Sequence, residues 1–160
     1  MKQCLKITVL IFSCLGSTVV AQSSGISLSG GKHDTTLPVE ITADSLSVDQ
    51  SSNSASFNGN ARVGQGELRL GADQIAVRYD QTGGQIASVT ATGNVVFTNG
   101  IDMAEAASAI YDVAAGGLIM TGNVLLVQGK TAISGDRLVL NVLANTAKIT
   151  GNVKTILTPK

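Results

Sequence analysis

The sequence predicts an all-β fold of antiparallel hairpins stacked into two facing sheets. Apolar and polar residues alternate with a period of two along most of the chain after Pro38, which is typical of strands that bury one face. The dipeptide Gly-Asn recurs four times, which is typical of one supersecondary unit stacked on copies of itself. Aromatic residues make up only 3% of the chain, so we expect a core of aliphatic side chains.

The four Gly-Asn pairs mark the repeats, and successive pairs begin 34, 29 and 29 residues apart. The pairs begin at Gly59, Gly93, Gly122 and Gly151. Such a pair can close a two-residue hairpin, because both residues tolerate positive φ. It can also form a corner where a strand bends and passes into the facing sheet. A valine directly follows three of the four pairs, which favours the corner.

Each repeat has a strand, a polar turn, a second strand and a Gly-Asn bend into a further strand. In the first repeat the alternation shifts after Asp44, so we expect Leu46 and Val48 to point inward. The window Met103–Ala109 has a helical composition, but it occupies a strand position in the repeat, and we therefore expect a strand. The predicted polar turns are Asp49–Asn53, Asp80–Gly84, Ala114–Gly117 and Ala144–Thr146.

Aspartate recurs at one position of the repeat. Asp44, Asp73 and Asp136 occupy it in the first, second and fourth units, and Ala107 stands there in the third. Aspartate side chains commonly accept hydrogen bonds from their own backbone in turns, and we expect that role here. The third unit is then expected to differ locally.

The N-terminus has the pattern of a secretory signal peptide. Residues 1–21 hold a basic start, an apolar run and Ala21 before the expected cut. The run is shorter than the ~20 residues of a spanning helix. An uncleaved membrane anchor and a lipoprotein signal at Cys14 are the alternatives. We expect residues 22–37 to form a flexible segment and residues 38–158 to form the folded domain.

Composition argues against several function classes. Cys4 and Cys14 both lie in the leader, so we expect a fold without disulfides. Without the leader's two lysines the chain has 9 basic and 11 acidic residues, a net charge of −2, which offers no basic field for nucleic acid. The single histidine, His33, lacks partners for a metal site, and a Gly-x-Ser-x-Gly motif is absent. We therefore expect neither an enzyme nor a cofactor.

Three segments together resemble a known family. They are Pro38–Asp44, Phe57–Gly66 and Leu70–Asp73, and with the Gly-Asn pairs they make the chain similar to the OstA-like proteins of lipopolysaccharide transport over about Pro38–Leu157. The resemblance implies an open, twisted, V-shaped β-jelly roll in the periplasm. It also implies that a groove between the two sheets binds the acyl chains of lipopolysaccharide.

The resemblance further implies partners that join sheet edge to sheet edge. These are an LptC-like protein anchored in the inner membrane, an LptD-like protein in the outer membrane, and further copies of the chain in a head-to-tail oligomer. The terminal strands suit such pairing, because Val39–Thr42 carries one charge and Val153–Thr158 carries one lysine. Neither edge is strongly protected against β-augmentation.

Strand parity and family position together indicate seven groove residues. They are Val39, Ile41, Phe97, Tyr111, Val113, Leu126 and Leu140. Each of them could equally be an ordinary core residue. The alternative function is a structural β-repeat, a spacer or adhesin segment that binds only protein and has a tightly filled interior.

Overall fold

The computed structural model describes residues 37–82, 84–141, 143–144 and 146–158. Regular structure in these residues consists entirely of strands, which confirms the all-β prediction. The strands are β1 Glu40–Thr42, β2 Ser45–Asp49, β3 Ser54–Gln65, β4 Leu68–Tyr79, β5 Ile86–Thr98, β6 Asp102–Asp112, β7 Gly117–Gln128, β8 Thr131–Asn141, β9 Thr146–Thr150 and β10 Lys154–Leu157. The predicted signal peptide, both cysteines and His33 lie outside the described residues, as does the flexible segment apart from Leu37.

The strands form one antiparallel sheet in which chain neighbours pair as hairpins. Its order is β1-β3-β4-β5-β6-β7-β8-β10, with β2 also paired to β3 and β9 also paired to β8. β1 and β2 are therefore two halves of one edge, and β9 and β10 are two halves of the other. The predicted stack of hairpins is confirmed, and the two facing sheets are the halves of this single sheet.

The Gly-Asn pairs divide the sheet into these halves. Gly59-Asn60, Gly93-Asn94 and Gly122-Asn123 lie inside continuous strands, where the register shifts as in a β-bulge. Gly151-Asn152 separates β9 from β10 in the same way. The glycines have φ of 76° to 85° and the asparagines φ of 46° to 50°. The pairs are corners and not hairpin turns, and they are called the first to fourth bends below.

The bends define two walls. The β1 wall consists of β1, β10 and residues 61–65, 68–71, 95–98, 102–106, 124–128 and 131–135. The β2 wall consists of β2, β9 and residues 54–58, 74–79, 86–92, 108–112, 117–121 and 137–141. Apolar side chains of both walls form one buried cluster, so the walls pack face to face.

The recurring aspartates do not bond their own backbone, and that prediction was wrong. Each carboxylate instead accepts a hydrogen bond from the asparagine amide of the next bend along the chain. The donor–acceptor distances are 2.9 Å for Asn60 to Asp44, 2.9 Å for Asn94 to Asp73 and 2.8 Å for Asn152 to Asp136. This Asp–Asn hydrogen bond is called a clamp below.

The third bend has no clamp, yet its backbone matches the others. Ala107 faces Gly122, and Gly122 and Asn123 have φ of 85° and 50°. The expected local difference at Ala107 is therefore absent from the backbone of the bend. The strand context and the glycine suffice to form the bulge, and the aspartate is an addition to it.

The predicted polar turns all fall between strands, although Asp49, Gly117 and Thr146 belong to the strands themselves. Here strand-final side chains do bond the turn backbone: Asp49 accepts from Ser51 N at 2.8 Å, and Asp112 accepts from Ala115 N at 3.0 Å. A second set of hairpin turns, at Gly66, Gly100 and Gly129, closes the opposite ends of the strands and was not predicted.

The window Met103–Ala109 is a strand, as expected, and its helical composition has a structural reason. Ala104 and Ala106 point inward before the bend, and Ala109 and Tyr111 point inward after it. The parity therefore flips at Ala107, opposite the bulges of the neighbouring strands. A strand whose alternation changes phase in its middle does not show a period of two across the whole window.

Candidate functional site

The interior between the walls is lined by ladders of apolar side chains that cross the whole sheet. In the β1 wall, consecutive register partners are Ile41, Val63, Leu70, Phe97, Ala104, Leu126, Ile133 and Thr155. In the β2 wall, one ladder runs through Val48, Ala55, Val77, Val89, Tyr111, Leu118, Leu140 and Ala147. Register partners on one face lie ~5 Å apart, so each ladder is a continuous strip, apolar throughout except at Thr155 on the last edge.

A third ladder runs beside the second. Its members are Leu46, Phe57, Ile75, Ala91, Ala109, Met120, Leu138 and Ile149. The inward parity predicted for Leu46 and Val48 follows from their partners, because Phe57 and Ala55 face the interior. Both side chains are nevertheless exposed, at 56% and 66%, since no strand covers them beyond the β2 edge.

Five of the seven predicted groove residues line this interior. Ile41, Phe97 and Leu126 belong to the β1-wall ladder, and Tyr111 and Leu140 belong to a β2-wall ladder. Leu126 and Leu140 belong to the buried cluster, and the other three are partly buried and pack against it.

The other two predicted residues lie outside the ladders. Val39 precedes β1, and Val113 lies in the turn after β6. Both are exposed.

The ladder side chains are exposed at the β2 edge, at Leu46 and Val48, and buried through most of the sheet, including Ile75 in β4. Met120, Leu126 and Leu140 are at most 1% exposed. The seven predicted groove residues did not include Ile75, Met120 and Leu138, although each is fully buried. Each of them keeps the period of two within its own half of the strand. That alternation could have identified all three as inward-facing.

Polar groups lie at the rim of the interior and not within its centre. The Tyr111 phenol is half-buried, and its pKa is raised, first by burial and then by the charge of Asp112. At the other end, Asp102 is buried and its carboxylate accepts a hydrogen bond of 3.0 Å from Gln128. Asn99 in turn accepts from the backbone of Asp102 at 2.7 Å, which fixes the β5–β6 turn.

A depression of about 360 Å³ lies against β1 near Pro38. Arg62, Arg69 and Glu40 are among its lining residues, and these polar groups do not suit an acyl chain. Among the described residues no cluster of histidine, cysteine and carboxylate side chains could hold a metal ion. In the same part of the chain we find no helix with the length and hydrophobicity to span a membrane.

Comparison with known sequences assigns the family. Residues 40–146 match the family described as "LptA/(LptD N-terminal domain) LPS transport protein". The chain belongs to this family. The family is one of lipopolysaccharide transport and not of enzymes.

Individual members of the lipopolysaccharide-transport family show how far the similarity extends. The chain is 31% identical to lipopolysaccharide export system protein LptA of Escherichia coli K12 over 113 residues, which is 66% of this chain and 60% of that protein. It is 28% identical to LptA of Haemophilus influenzae, over 90% of this chain and 86% of that protein.

A solved structure supports the fold. The chain superimposes on the crystal structure of LptH, the LptA-homologous periplasmic component of the lipopolysaccharide transport device of Pseudomonas aeruginosa, with a TM-score of 0.69. The match covers 79% of this chain and 99% of LptH at 16% identity. The open β-jelly roll predicted from the sequence is thereby confirmed.

Proposed function

We propose that the chain binds the acyl chains of lipopolysaccharide between its two walls and carries the lipid across the periplasm during outer-membrane assembly. The observation that carries this proposal is the set of apolar ladders that cross the sheet from edge to edge, in a member of a lipopolysaccharide-transport family. Acyl chains need an apolar slot and no chemistry. Each methylene removed from water contributes ~0.8 kcal/mol, so a few buried chains suffice to hold a lipid.

The two sheet edges are the proposed contacts with partners. β2 and β10 are exposed along their whole length, and each presents unpaired backbone groups. We assign them to edge-to-edge pairing with an LptC-like partner in the inner membrane, an LptD-like partner in the outer membrane, and further copies of the chain. The periplasmic location rests on the signal-like N-terminus and on the description of LptH as a periplasmic component.

The lipid is the first part to test. The chain, purified from the periplasm under mild conditions, is analysed by mass spectrometry for bound lipid. Co-purified lipopolysaccharide supports the proposal. A chain that carries no lipid and takes up none when purified lipopolysaccharide is added contradicts it.

The edge contacts are tested separately. Ile156→Lys places a charge on β10, and Val139→Lys places the same charge on an outward position of the β2 wall; both side chains are exposed. Light scattering after gel filtration reports the oligomer. We expect Ile156→Lys to shorten the oligomers and Val139→Lys to leave them unchanged. Equal behaviour of the two variants would contradict a role for the β10 edge.

One observation favours the structural alternative, a β-repeat spacer that binds only protein. The interior is filled between β7 and β8, where Met120 and Leu138 are buried. A lipid-free chain that still forms end-to-end oligomers would establish this function and exclude the carrier.

A further inference from the structure

The clamps join particular pairs of strands across the line of bends. The first clamp, Asp44 to Asn60, joins the β1–β2 edge to β3. The second, Asp73 to Asn94, joins β4 to β5. The pair that follows, β6 and β7, has Ala107 in place of the carboxylate, so Asn123 has no such acceptor there. The third and last clamp, Asp136 to Asn152 at the fourth bend, joins β8 to the last edge.

The β6–β7 pair has only a weaker side-chain link next to its bend. Ser108 and Thr121 share a hydrogen bond of 2.8 Å between their hydroxyl groups, within the β2 wall. A hydrogen bond to an ionised carboxylate is roughly twice as strong as one between neutral groups. The Ser108–Thr121 bond also does not reach across the bend, whereas a clamp joins the bend itself to the neighbouring strand.

On the β6 side of the third bend the interior holds small side chains, whereas β7, which carries the bend, contributes Met120 and Val124, both fully buried. β6 contributes Ala104, Ala106 and Ala109, all of them buried. The register partner of Ala109 is Met120, whose unbranched side chain adapts readily to a changed cavity. β6 therefore contributes less apolar surface to the interior than β8, where Leu138 and Leu140 line it.

We propose that the unclamped third bend is the joint at which the two walls part to admit a lipid acyl chain. The other three bends hold the angle between the walls through their clamps. The third bend keeps the same backbone without the carboxylate, and it can open at lower cost. Ala107 thus determines where the interior opens. This inference rests on the proposed lipid-carrier function.

The first test needs no lipid. Hydrogen exchange, followed by mass spectrometry, compares the bend amides at residues 121–124 with those at 92–95 and 150–153 in the full chain. We expect the fastest exchange at the third bend. Ala107→Asp should slow it about fivefold, because the new clamp favours the closed bend. Equal exchange at the three bends would overturn the proposal.

The second test measures uptake of purified lipopolysaccharide. Ala107→Asp reproduces the environment of the other clamps, with Gly122 and Asn123 already in place, and should raise Tm by about 2–5 °C. It should also slow uptake about fivefold. The double variant Ala107→Asp/Asn123→Gly keeps a residue that tolerates positive φ but removes the amide donor, and uptake should recover.

The outcomes separate this inference from the proposed function. A stabilised Ala107→Asp variant with unchanged exchange and uptake would overturn the joint while leaving the carrier function intact. An unmodified chain that takes up no lipopolysaccharide would overturn both. Slow uptake that persists in the double variant would mean that the added charge, and not the clamp, is responsible, and would also overturn the joint.

Discussion

Asn60 donates a side-chain hydrogen bond of 2.9 Å to the carboxylate of Asp44, which lies 16 residues earlier in the chain and on the neighbouring edge of the sheet. The same contact recurs between Asp73 and Asn94 and between Asp136 and Asn152. The repeat in the sequence is thus a repeat of one long-range contact. It recurs at three of the four bends along the line where a single sheet folds into two walls.

Loss of a clamp should destabilise the fold slightly. We expect Asp136→Ala to lower the free energy of unfolding by about 0.5–1 kcal/mol, because an exposed hydrogen bond contributes at the low end of the usual range. Urea denaturation measures the change. Glu105→Ala, which removes an exposed carboxylate from the outer face, is the control and should have almost no effect. Equal effects would refute the stabilising role of the clamp.

The glycines of the bends should resist substitution. Gly93 has a φ of 78°, and an added Cβ would lie 2.3 Å from Oδ2 of Asp73. Gly93→Ala should therefore cost about 2 kcal/mol or more, through both the left-handed backbone and the steric clash. Gly71→Ala is the matched control, since nothing lies within 4 Å of its added Cβ and its φ is not positive. A shift in the urea midpoint for Gly71→Ala as large as that for Gly93→Ala would contradict the account.

Ionisation of the Tyr111 phenol should lower the stability of the fold at high pH. Burial and the charge of Asp112 raise its pKa above the ordinary 10.0. A phenol whose pKa is raised by folding stabilises the fold below the unfolded pKa of ~10, and this contribution is lost as pH rises through the folded pKa. Ultraviolet titration of a Tyr79→Phe background isolates Tyr111. The pKa of Tyr111 should stay raised in Asp112→Asn, because burial is the larger cause. An ordinary pKa for Tyr111 in this variant would contradict burial as the larger cause.

Interior ladder residues should carry more stability than outward residues of the same sheet. Leu126 is 1% exposed, so Leu126→Ala should cost about 2–5 kcal/mol. Val139, which faces outward and is 39% exposed, is the control, and Val139→Ala should cost less than about 1 kcal/mol. Thermal unfolding of both variants decides the matter. Similar losses of stability in the two variants would mean that Leu126 does not face the interior.

Local patterns predicted the strands and the corners well. Four Gly-Asn pairs at similar spacing predicted corners because a valine strand resumes after three of them. The hydrogen bond from Asn60 to Asp44 could not be predicted in this way, because it depends on which bulge lies beside Asp44 in the folded sheet. The same holds for Val48, whose inward parity was predicted correctly but whose exposure depends on its place at the edge.

The residues of the candidate site were predictable only in part. Alternation indicates which side chains face inward, but it shows neither the register between strands nor the ends of strands. Ile41, Phe97 and Leu126 were chosen singly by parity and family position, and register alone shows that they share one ladder. Val39 and Val113 were chosen by the same alternation, but they lie just beyond the ends of strands. Alternation does not reveal where a strand stops.

Photo-crosslinking at two adjacent residues tests the lipid-binding interior most directly. Phe97 faces the interior, whereas Val96 faces outward on the same strand and is 38% exposed. A photo-reactive residue is placed at one position or the other, and crosslinks to lipopolysaccharide are measured in intact cells. Lipid binding in this interior predicts crosslinks from position 97 and almost none from position 96. Equal crosslinking from both positions, or crosslinks from position 96 alone, would contradict it.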